Sequence, residues 1–296
     1  MSLPARYSIK DLEILSNIKS HTIRIWEKRY DLLNPERTDT NIRYYSNDDL
    51  KKLLNISFLN KQGIKISKIV EMTESEIKEA VQALNLSDSD NETYIENLIV
   101  AMIDLNEETF QKVFNAASNQ LGFEAAMTDV IFKFFVQIGV MWQVGAINPA
   151  QEHFVSNIVR QKIIAATEEL NYQPESSASK ILLFLPENEL HELSLLMYNY
   201  ALRKRAYATV YLGQAVPLDS LQRILEITEP DILITLLTNS LNTLDSDEII
   251  ANISEKFHGK IFISGYALQN IHKKLPKNTI EFKDLDDLLL KLESEV

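Results

Sequence analysis

The spacing of hydrophobic positions changes along this chain of 296 residues. Residues 92–172 repeat apolar side chains every three or four positions, which is typical of one face of a helix. After residue 180, short apolar runs alternate with helical stretches, as in a parallel sheet buried on both faces. The pattern therefore predicts a multidomain chain with all-α and α/β parts.

The first 73 residues are predicted to form one small helical domain. Its helices are expected over residues 9–16, 21–29, 47–62 and 67–72. Ser8 and Ser20 are placed to cap the first two helices, because their hydroxyls can accept bonds from free backbone N–H groups. A tight turn at residues 17–19 joins these helices, so the pair reads as a helix-turn-helix.

Two groups of polar side chains in this domain are candidates for contact with DNA. In the second helix Ile23 and Trp26 share one face and should pack inward, which leaves other faces for a DNA groove. The groove candidates are His21, Thr22, Arg24 and Lys28. The segment 37–44 has no apolar period and suits a wing laid on phosphate. The wing candidates are Arg37, Thr38, Arg43 and Tyr44.

The middle of the chain is predicted to be a linker followed by a four-helix bundle. Residues 74–91 form the linker, with an amphipathic helix over 74–88 and a polar joint. Residues 92–173 form the bundle, whose last helix should run from Pro149 to about residue 171. Asn148 and Gln151 can form a capping box at its start.

The segment 180–296 is predicted to be an α/β domain. Its strands are expected over residues 180–186, 208–213, 231–237, 260–265 and 279–282. Its helices are expected over residues 190–205, 217–228, 243–257, 267–272 and 284–292. Five strands alternating with helices suit the flavodoxin-like (Rossmann-type) strand order. Proteins with this fold bind ligands at the carboxyl ends of the strands. We find no glycine-rich phosphate loop, so a nucleotide is not expected there.

Charge separates the N-terminal domain from the rest. The whole chain carries −12, but residues 1–72 hold 13 Lys and Arg against 9 Asp and Glu, a balance of +4. The remaining 17 basic and 33 acidic residues give −16. Affinity for phosphate is therefore expected only at the N-terminus, and two such domains acting together should be needed for firm binding.

Composition excludes several other classes of protein. The chain has no cysteine, which excludes disulfides, thiolate nucleophiles and cysteine-ligated metals. The longest apolar runs look too short to span a bilayer, and no signal peptide is visible. We therefore expect a cytoplasmic protein with no membrane association.

A carboxylate and an imidazole follow the first predicted strand of the α/β domain. Glu189 can accept one ring N–H of His191 and so present the other ring nitrogen to a metal. From the residues alone, a surface pair or an ordinary helix start explains the same pattern.

The N-terminal domain resembles the MerR family of winged-helix regulators. The motifs that carry the resemblance are YSI at residues 7–9, TIRIWE at 22–27, LNPERT at 33–38 and RYYS at 43–46. The resemblance implies a transcriptional regulator, not an enzyme, that binds a two-fold DNA operator as a dimer or tetramer.

The α/β domain resembles the cobalamin-binding domain of corrinoid proteins. Glu189 and His191 take the place of the family's Asp-x-His, which makes His191 the implied ligand of cobalt. The positions implied to line the slot for the nucleotide tail are Ser194, Leu236, Ser264 and Gly265. Ser194 replaces a glycine, Leu236 lacks the family's hydroxyl, and Ser264 replaces the first glycine of a pair.

The bundle resembles that of light-responsive cobalamin regulators, whose Trp-x9-Glu-His motif is matched by Trp142, Glu152 and His153. The resemblance implies that Trp142 covers the upper face of the cobalamin and that the other two residues lie beside its upper ligand. From the residues alone, Trp142 as core and Glu152 as a helix-start acid explain the same pattern.

The resulting interpretation is a transcriptional regulator, and more specifically a repressor, whose assembly is controlled by adenosylcobalamin or methylcobalamin and by light. One alternative is a MerR-like regulator with a cobalamin-free sensor domain controlled by protein partners. An alternative of another class is a corrinoid carrier for methyl transfer.

Overall fold

A computed structural model describes residues 6–61, 63–83, 89–143, 147–174, 179–238 and 246–295. The chain divides into two compact units, Met1–Ile158 and Val159–Val296. The boundary falls inside one long helix, Pro149–Glu168.

The first unit begins with the predicted winged helix-turn-helix. Its helices are α1 (Ile9–Ser16), α2 (Ser20–Tyr30), α3 (Asn47–Lys61), α4 (Ile66–Ile69) and α5 (Glu74–Ala83). The wing pairs β1 (Glu36–Arg37) antiparallel with β2 (Arg43–Tyr44). Backbone bonds between Tyr7 and Tyr45, both fully buried, fasten the start of the domain to the end of the wing.

Local chemistry explains where these helices begin and end. Ser8 and Asp11 form a capping box at the start of α1. Asn17 ends α1 in the left-handed region, with φ 54°, which asparagine tolerates better than most residues. Ser20 is not the predicted cap of α2, because Lys19 holds that position and Ser20 is the first helical residue.

The helical bundle follows in the first unit, and its last helix continues past Ile158. Its helices are α6 (Asn91–Ile103), α7 (Glu107–Leu121), α8 (Phe123–Ala126), α9 (Phe132–Gln143) and α10 (Pro149–Glu168), with a π-helical turn at Met127–Ile131 joining α8 to α9. Half of the predicted capping box is present, since the Gln151 side chain accepts from Asn148 N, whereas the Asn148 side chain accepts from Ala150 N rather than from Gln151 N. The last helix ends at Glu168, a few residues earlier than predicted.

One stretch of this bundle corrects the sequence-based view of apolar runs. Phe123–Trp142 is long and apolar enough to cross a membrane by length and composition, a test that the core helices of soluble proteins also pass. Met127, Val130 and Phe134 from this stretch are fully buried. The stretch therefore contributes one face to the core of the bundle.

The second unit is a five-stranded parallel sheet flanked by helices. Its strands are β3 (Lys180–Pro186), β4 (Ala208–Val216), β5 (Ile232–Leu236), β6 (Lys260–Ser264) and β7 (Thr279–Glu281). The spatial order is β4-β3-β5-β6-β7, which is the predicted flavodoxin-like order. The helices are α11 (Leu193–Lys204), α12 (Leu218–Thr228), α13 (Ser246–Lys256) and α14 (Leu285–Glu295).

Several elements of this unit differ from the predicted bounds by one to three residues, and residues 243–245, predicted to begin a helix, lie outside the described residues. Helix α11 starts at Leu193 rather than Leu190, because the preceding residues form the loop that carries His191. The helix predicted over 267–272 is a 3-10 helix at Tyr266–Asn270. Strand β4 continues to Val216 through an irregular register beside β3. The other strands match the predicted runs because β3, β5 and β6 are buried on both faces.

Candidate DNA-binding and cofactor-binding sites

The exposed face of α2 carries most of the predicted groove-contacting residues. His21, Arg24 and Lys28 are exposed, and Thr22 is half-buried. Ile23 is buried and Trp26 is half-buried, so the inward face is the predicted one. The arrangement presents a row of cationic and hydrogen-bonding side chains on one side of a short helix, as a groove-reading helix requires.

A carboxylate from α1 fixes the start of α2. The Glu13 side chain accepts from Ser20 N at 3.0 Å and from Ser20 Oγ at 2.5 Å, and it pairs with Lys19 Nζ at 3.2 Å. These bonds, led by that from the Ser20 hydroxyl, lower the pKa of Glu13 to about 2. Sequence reasoning missed Glu13, because the cap of α2 is supplied by a residue seven positions earlier.

The wing separates the predicted phosphate-contacting residues into two pairs. Arg37 and Thr38 are exposed at the turn, where Arg37 Nη1 donates to Asn41 Oδ1 and Thr38 Oγ1 accepts from Ile42 N. Arg43 and Tyr44 are half-buried and held by glutamates. The exposed pair fits a phosphate contact better than the half-buried pair.

Glu27 is the residue that holds the base of the wing. Its carboxylate accepts from the Tyr45 hydroxyl and lies 3.4 Å from Arg43 Nε. Burial and this bond raise the pKa of Tyr45, in that order. The Tyr44 hydroxyl donates a hydrogen bond to Glu36. The guanidinium carbon of Arg6 lies over the Tyr44 ring, 4.5 Å from the centre of the ring. Glu27 belongs to the TIRIWE motif, but its partners Arg43 and Tyr45 lie beyond the motif.

The predicted metal-ligating loop lies at the carboxyl end of β3. Glu189 is fully buried, and its Oε1 lies 2.7 Å from His191 Nδ1 and accepts from His191 N at 3.1 Å. The His191 side chain is 68% exposed. A ring whose Nδ1–H bonds to a carboxylate has its lone pair on Nε2, which is the arrangement of metal-ligating histidines.

Thr238 completes this loop and was missed from the sequence. Its backbone N–H donates to Glu189 Oε2 at 2.7 Å, and its hydroxyl lies 3.1 Å from His191 Nδ1. Thr238 follows β5, the strand beside β3. Its place at the carboxyl end of an adjacent strand is the signal that could have found it.

The predicted tail-slot residues lie at the ends of neighbouring elements but differ in environment. Ser194 is half-buried in the first turn of α11. Leu236 and Ser264 pair in register at the ends of β5 and β6, with exposures of 2% and 8%. A buried aliphatic side chain therefore stands at the position implied to carry a hydroxyl.

Gly265 is required by its backbone. Its φ is +126°, and a Cβ there would lie 2.1 Å from Leu237 O. The chain after β6 can pass this close to the end of β5 only without a side chain. The loop with Glu189 and His191 thus fits a metal-containing cofactor such as a corrinoid, while Leu236 lacks the hydroxyl implied at its position.

The bundle residues implied to contact the cofactor lie in the first unit. Trp142 is near the end of α9 and is 44% exposed, a large fraction for an indole. Glu152 and His153 lie in the first turns of α10, with 3.7 Å between Glu152 Oε2 and His153 Nδ1. Trp142 is therefore not plain core, and an exposed aromatic face is suited to stacking on a flat ring.

Comparisons with known proteins match family models to the winged domain and to the helical bundle. Residues 7–76 match the family model of MerR HTH family regulatory proteins, and residues 94–166 match that of the B12 binding domain. Together they define a DNA-binding regulator of the MerR type that carries a B12-binding domain and responds to B12.

Two relatives align with this chain over most of their length. The HTH-type transcriptional repressor CarH of Myxococcus xanthus is 26% identical over 256 residues, covering 84% of each chain. The HTH-type transcriptional repressor CarA of the same organism is 23% identical over 228 residues, covering 76% of this chain and 74% of its own.

A solved structure supports the fold. The monomethylamine corrinoid protein of Methanosarcina barkeri covers 69% of this chain and 100% of its own, with a TM-score of 0.54 and 13% identity. At this identity the likeness is evidence of fold alone.

Proposed function

We propose that the protein is a cytoplasmic, non-enzymatic transcriptional repressor in which His191 ligates the cobalt of cobalamin and the bound cofactor controls assembly on DNA. The observation that carries the proposal is the Glu189–His191 pair at the carboxyl end of β3. Bound cobalamin would supply a cobalt ion that can take a nitrogen ligand from His191 and, in its alkyl forms, a bond that light can break.

The loop performs three tasks in this proposal. Glu189 accepts the Nδ1–H of His191 and so fixes the tautomer that presents Nε2 to cobalt. Thr238 N–H bonds the other oxygen of Glu189, which fixes the carboxylate itself. Because Glu189 is fully buried, the loop holds its geometry before the cofactor arrives.

The bundle and the tail-slot residues have supporting roles. We propose that Trp142, Glu152 and His153 of the bundle would contribute to cofactor binding, Trp142 through its exposed indole face. Ser194, Leu236, Ser264 and Gly265 line the place for the nucleotide tail, where Leu236 can offer only apolar contact. Such contact lowers selectivity among nucleotide tails, since no hydroxyl at that position rejects a wrong base.

The winged domain supplies affinity for DNA through few groups. His21, Thr22, Arg24 and Lys28 enter the major groove, while the wing residues Arg37, Thr38, Arg43 and Tyr44 lie along the phosphates. A single domain with a net charge of about +4 makes few phosphate contacts and binds weakly. A dimer or tetramer on a two-fold operator gains avidity, so a cofactor that changes assembly also changes occupancy of DNA.

The experiment combines a spectrum with a size measurement. Protein mixed with adenosylcobalamin in darkness and desalted should retain corrinoid, and illumination should change its elution volume. His191→Ala should change the spectrum of the bound corrinoid. The matched control His258→Ala removes an exposed histidine elsewhere in the α/β unit and should leave the spectrum unchanged.

Each negative result points to a different alternative. Loss of all corrinoid on desalting would leave a regulator controlled by protein contacts, which the buried Leu236 would then explain. Retained corrinoid with no affinity for any DNA duplex would indicate a corrinoid carrier instead. If corrinoid is retained but the elution volume is the same with and without cofactor and light, then the cofactor does not control assembly.

A further inference from the structure

Helix α2 carries an exposed isoleucine on the side opposite its buried face. Ile25 is 54% exposed, whereas Ile23 is 1% exposed. Residues in a helix are separated by about 100°, so two positions place Ile25 roughly 200° from Ile23. Ile25 therefore lies on the outward side of the helix that we propose enters the major groove.

The neighbours of Ile25 on this face are polar or cationic. His21 lies one turn before it, and Lys28 and Arg29 lie one turn after it. All three are exposed. An apolar side chain among cations suits a protein-docking surface poorly, because the centres of such surfaces are depleted of charge. DNA, in contrast, attracts the cations and presents one apolar group in its major groove, the methyl of thymine.

We propose that Ile25 contacts the 5-methyl group of a thymine and so specifies that base in each operator half-site. The inference rests on the proposed DNA-binding function, in which the cations supply affinity for any sequence. Ile25 has no hydrogen-bonding group, so phosphate and the polar base edges offer it nothing. Its contribution is therefore selective for sequence.

The chain offers a closely matched control. Ile14 is the same residue type with the same exposure of 54%, but it lies on α1 rather than on the groove-reading helix. A general effect of removing an exposed isoleucine will appear at both positions. An effect on recognition of thymine will appear only at Ile25.

The test replaces single thymines by deoxyuridine, which lacks only the methyl group. Duplexes are first selected from a random-sequence library by full-length protein, and binding is then measured with each thymine replaced in turn. We expect replacement at one position per half-site to weaken wild-type binding about fourfold. Ile25→Ala should bind the thymine duplex more weakly than the wild type by a similar factor, and it should bind the deoxyuridine duplex as well as it binds the thymine duplex. Ile14→Ala should bind both duplexes like the wild type.

Two results would overturn the inference. One is a wild-type protein that tolerates deoxyuridine at every position, and the other is an Ile25→Ala variant that keeps the full wild-type sensitivity. Thermal melting of each variant, together with Ile25→Val, which keeps most of the contact, separates loss of contact from loss of fold. A wild-type protein that selects no duplex at all would instead overturn the proposed DNA-binding function.

Discussion

Glu96 in the first unit and Glu189 in the second are both buried glutamates, with exposures of 3% and 0%, but their surroundings differ. Glu189 accepts bonds on both oxygens, from His191 and from Thr238. Glu96 receives Lys61 Nζ at 3.1 Å and Ser57 Oγ at 3.4 Å on Oε1. Its Oε2 is buried without a hydrogen-bond partner among the described residues.

The difference separates a carboxylate that positions a ligand from one that responds to pH. The bonds to Glu189 hold its geometry, as a group behind a metal ligand requires. Burial raises the pKa of Glu96 to about 7, although Lys61 opposes the shift. Glu96 lies on α6 and its partners lie on α3, so its protonation acts where the DNA-binding domain packs on the bundle.

The largest effect should come from breaking the fully bonded site. Glu189→Ala leaves Thr238 N–H and the His191 ring without their acceptor, which should lower the free energy of unfolding by about 3 kcal/mol. It should also weaken cobalamin binding by about 10- to 100-fold, because the His191 tautomer is no longer fixed. Chemical denaturation and equilibrium binding measure these effects, with the exposed Glu187→Ala as control. Equal behaviour of the two variants would show that Glu189 does not position His191.

A smaller and opposite effect is expected for Glu96→Gln. The folded-state pKa is raised from 4.5 to about 7, so the native state binds more protons than the unfolded state between these values. Stability then falls as pH rises from about 4.5 to 7. The neutral amide should remove this slope and stabilise the protein by roughly 1–3 kcal/mol at pH 8, with little change at pH 5.

Denaturation at several pH values measures that slope. Glu92→Gln, a more exposed carboxylate one turn earlier and 3.7 Å from Lys61, should keep the wild-type slope. The account would be contradicted if the stability gained by Glu96→Gln over the wild type were smaller at pH 8 than at pH 5, because a raised pKa of Glu96 requires the opposite.

Lys61→Met should have a still smaller effect that depends on pH. Without the ammonium, the pKa of Glu96 should rise further, since burial and the nearby charges of Asp90 and Glu92 all raise it and Lys61 no longer opposes them. We expect a loss of about 1–2 kcal/mol at pH 8, where the pair is charged, and less at pH 5. Lysine 61 is partly exposed, so solvent reduces the loss. Lys52→Met, an exposed lysine of the same helix, serves as control, and a pH-independent loss in Lys61→Met would count against the pair.

The smallest effect should come from Glu13→Gln at the exposed start of α2. The pKa of Glu13 is lowered from 4.5 to about 2, so its contribution is present above pH 4.5 and disappears as pH falls towards 2. The variant should speed hydrogen exchange of the Ser20 amide and weaken DNA binding slightly, because the first turn of α2 frays. Asp39→Asn in the exposed wing should leave that exchange rate unchanged. Unaltered exchange in Glu13→Gln would mean that the cap does not hold α2.

Much of the fold could be predicted because it follows from local pattern. The runs at β3, β5 and β6 are buried on both faces and so are apolar throughout, and Ser8 with Asp11 marks a helix start within four residues. The Glu189–His191 pair was also predictable, since its members are two positions apart and follow a strand.

What could not be predicted depends on partners distant in the chain. Ser20 looked like a cap because nothing local shows that Glu13 reaches it. The pairing of Arg43 with Glu27 could not be predicted because it joins the wing to α2. The burial of Glu96 could not be predicted because it depends on the packing of α3 against α6, which hydrophobic spacing within one helix does not reveal.

The most direct test asks whether His191 supplies the axial nitrogen of cobalt. Protein labelled with the heavy nitrogen isotope only in histidine, and loaded with cobalamin reduced to cobalt(II), can be measured by electron paramagnetic resonance. The account predicts that each cobalt line is split into a doublet by the labelled imidazole, and that the doublet disappears in His191→Ala but not in His258→Ala. A triplet in the labelled wild-type protein would mean that an unlabelled nitrogen, such as that of the cofactor's own nucleotide base, ligates cobalt, and it would contradict the account.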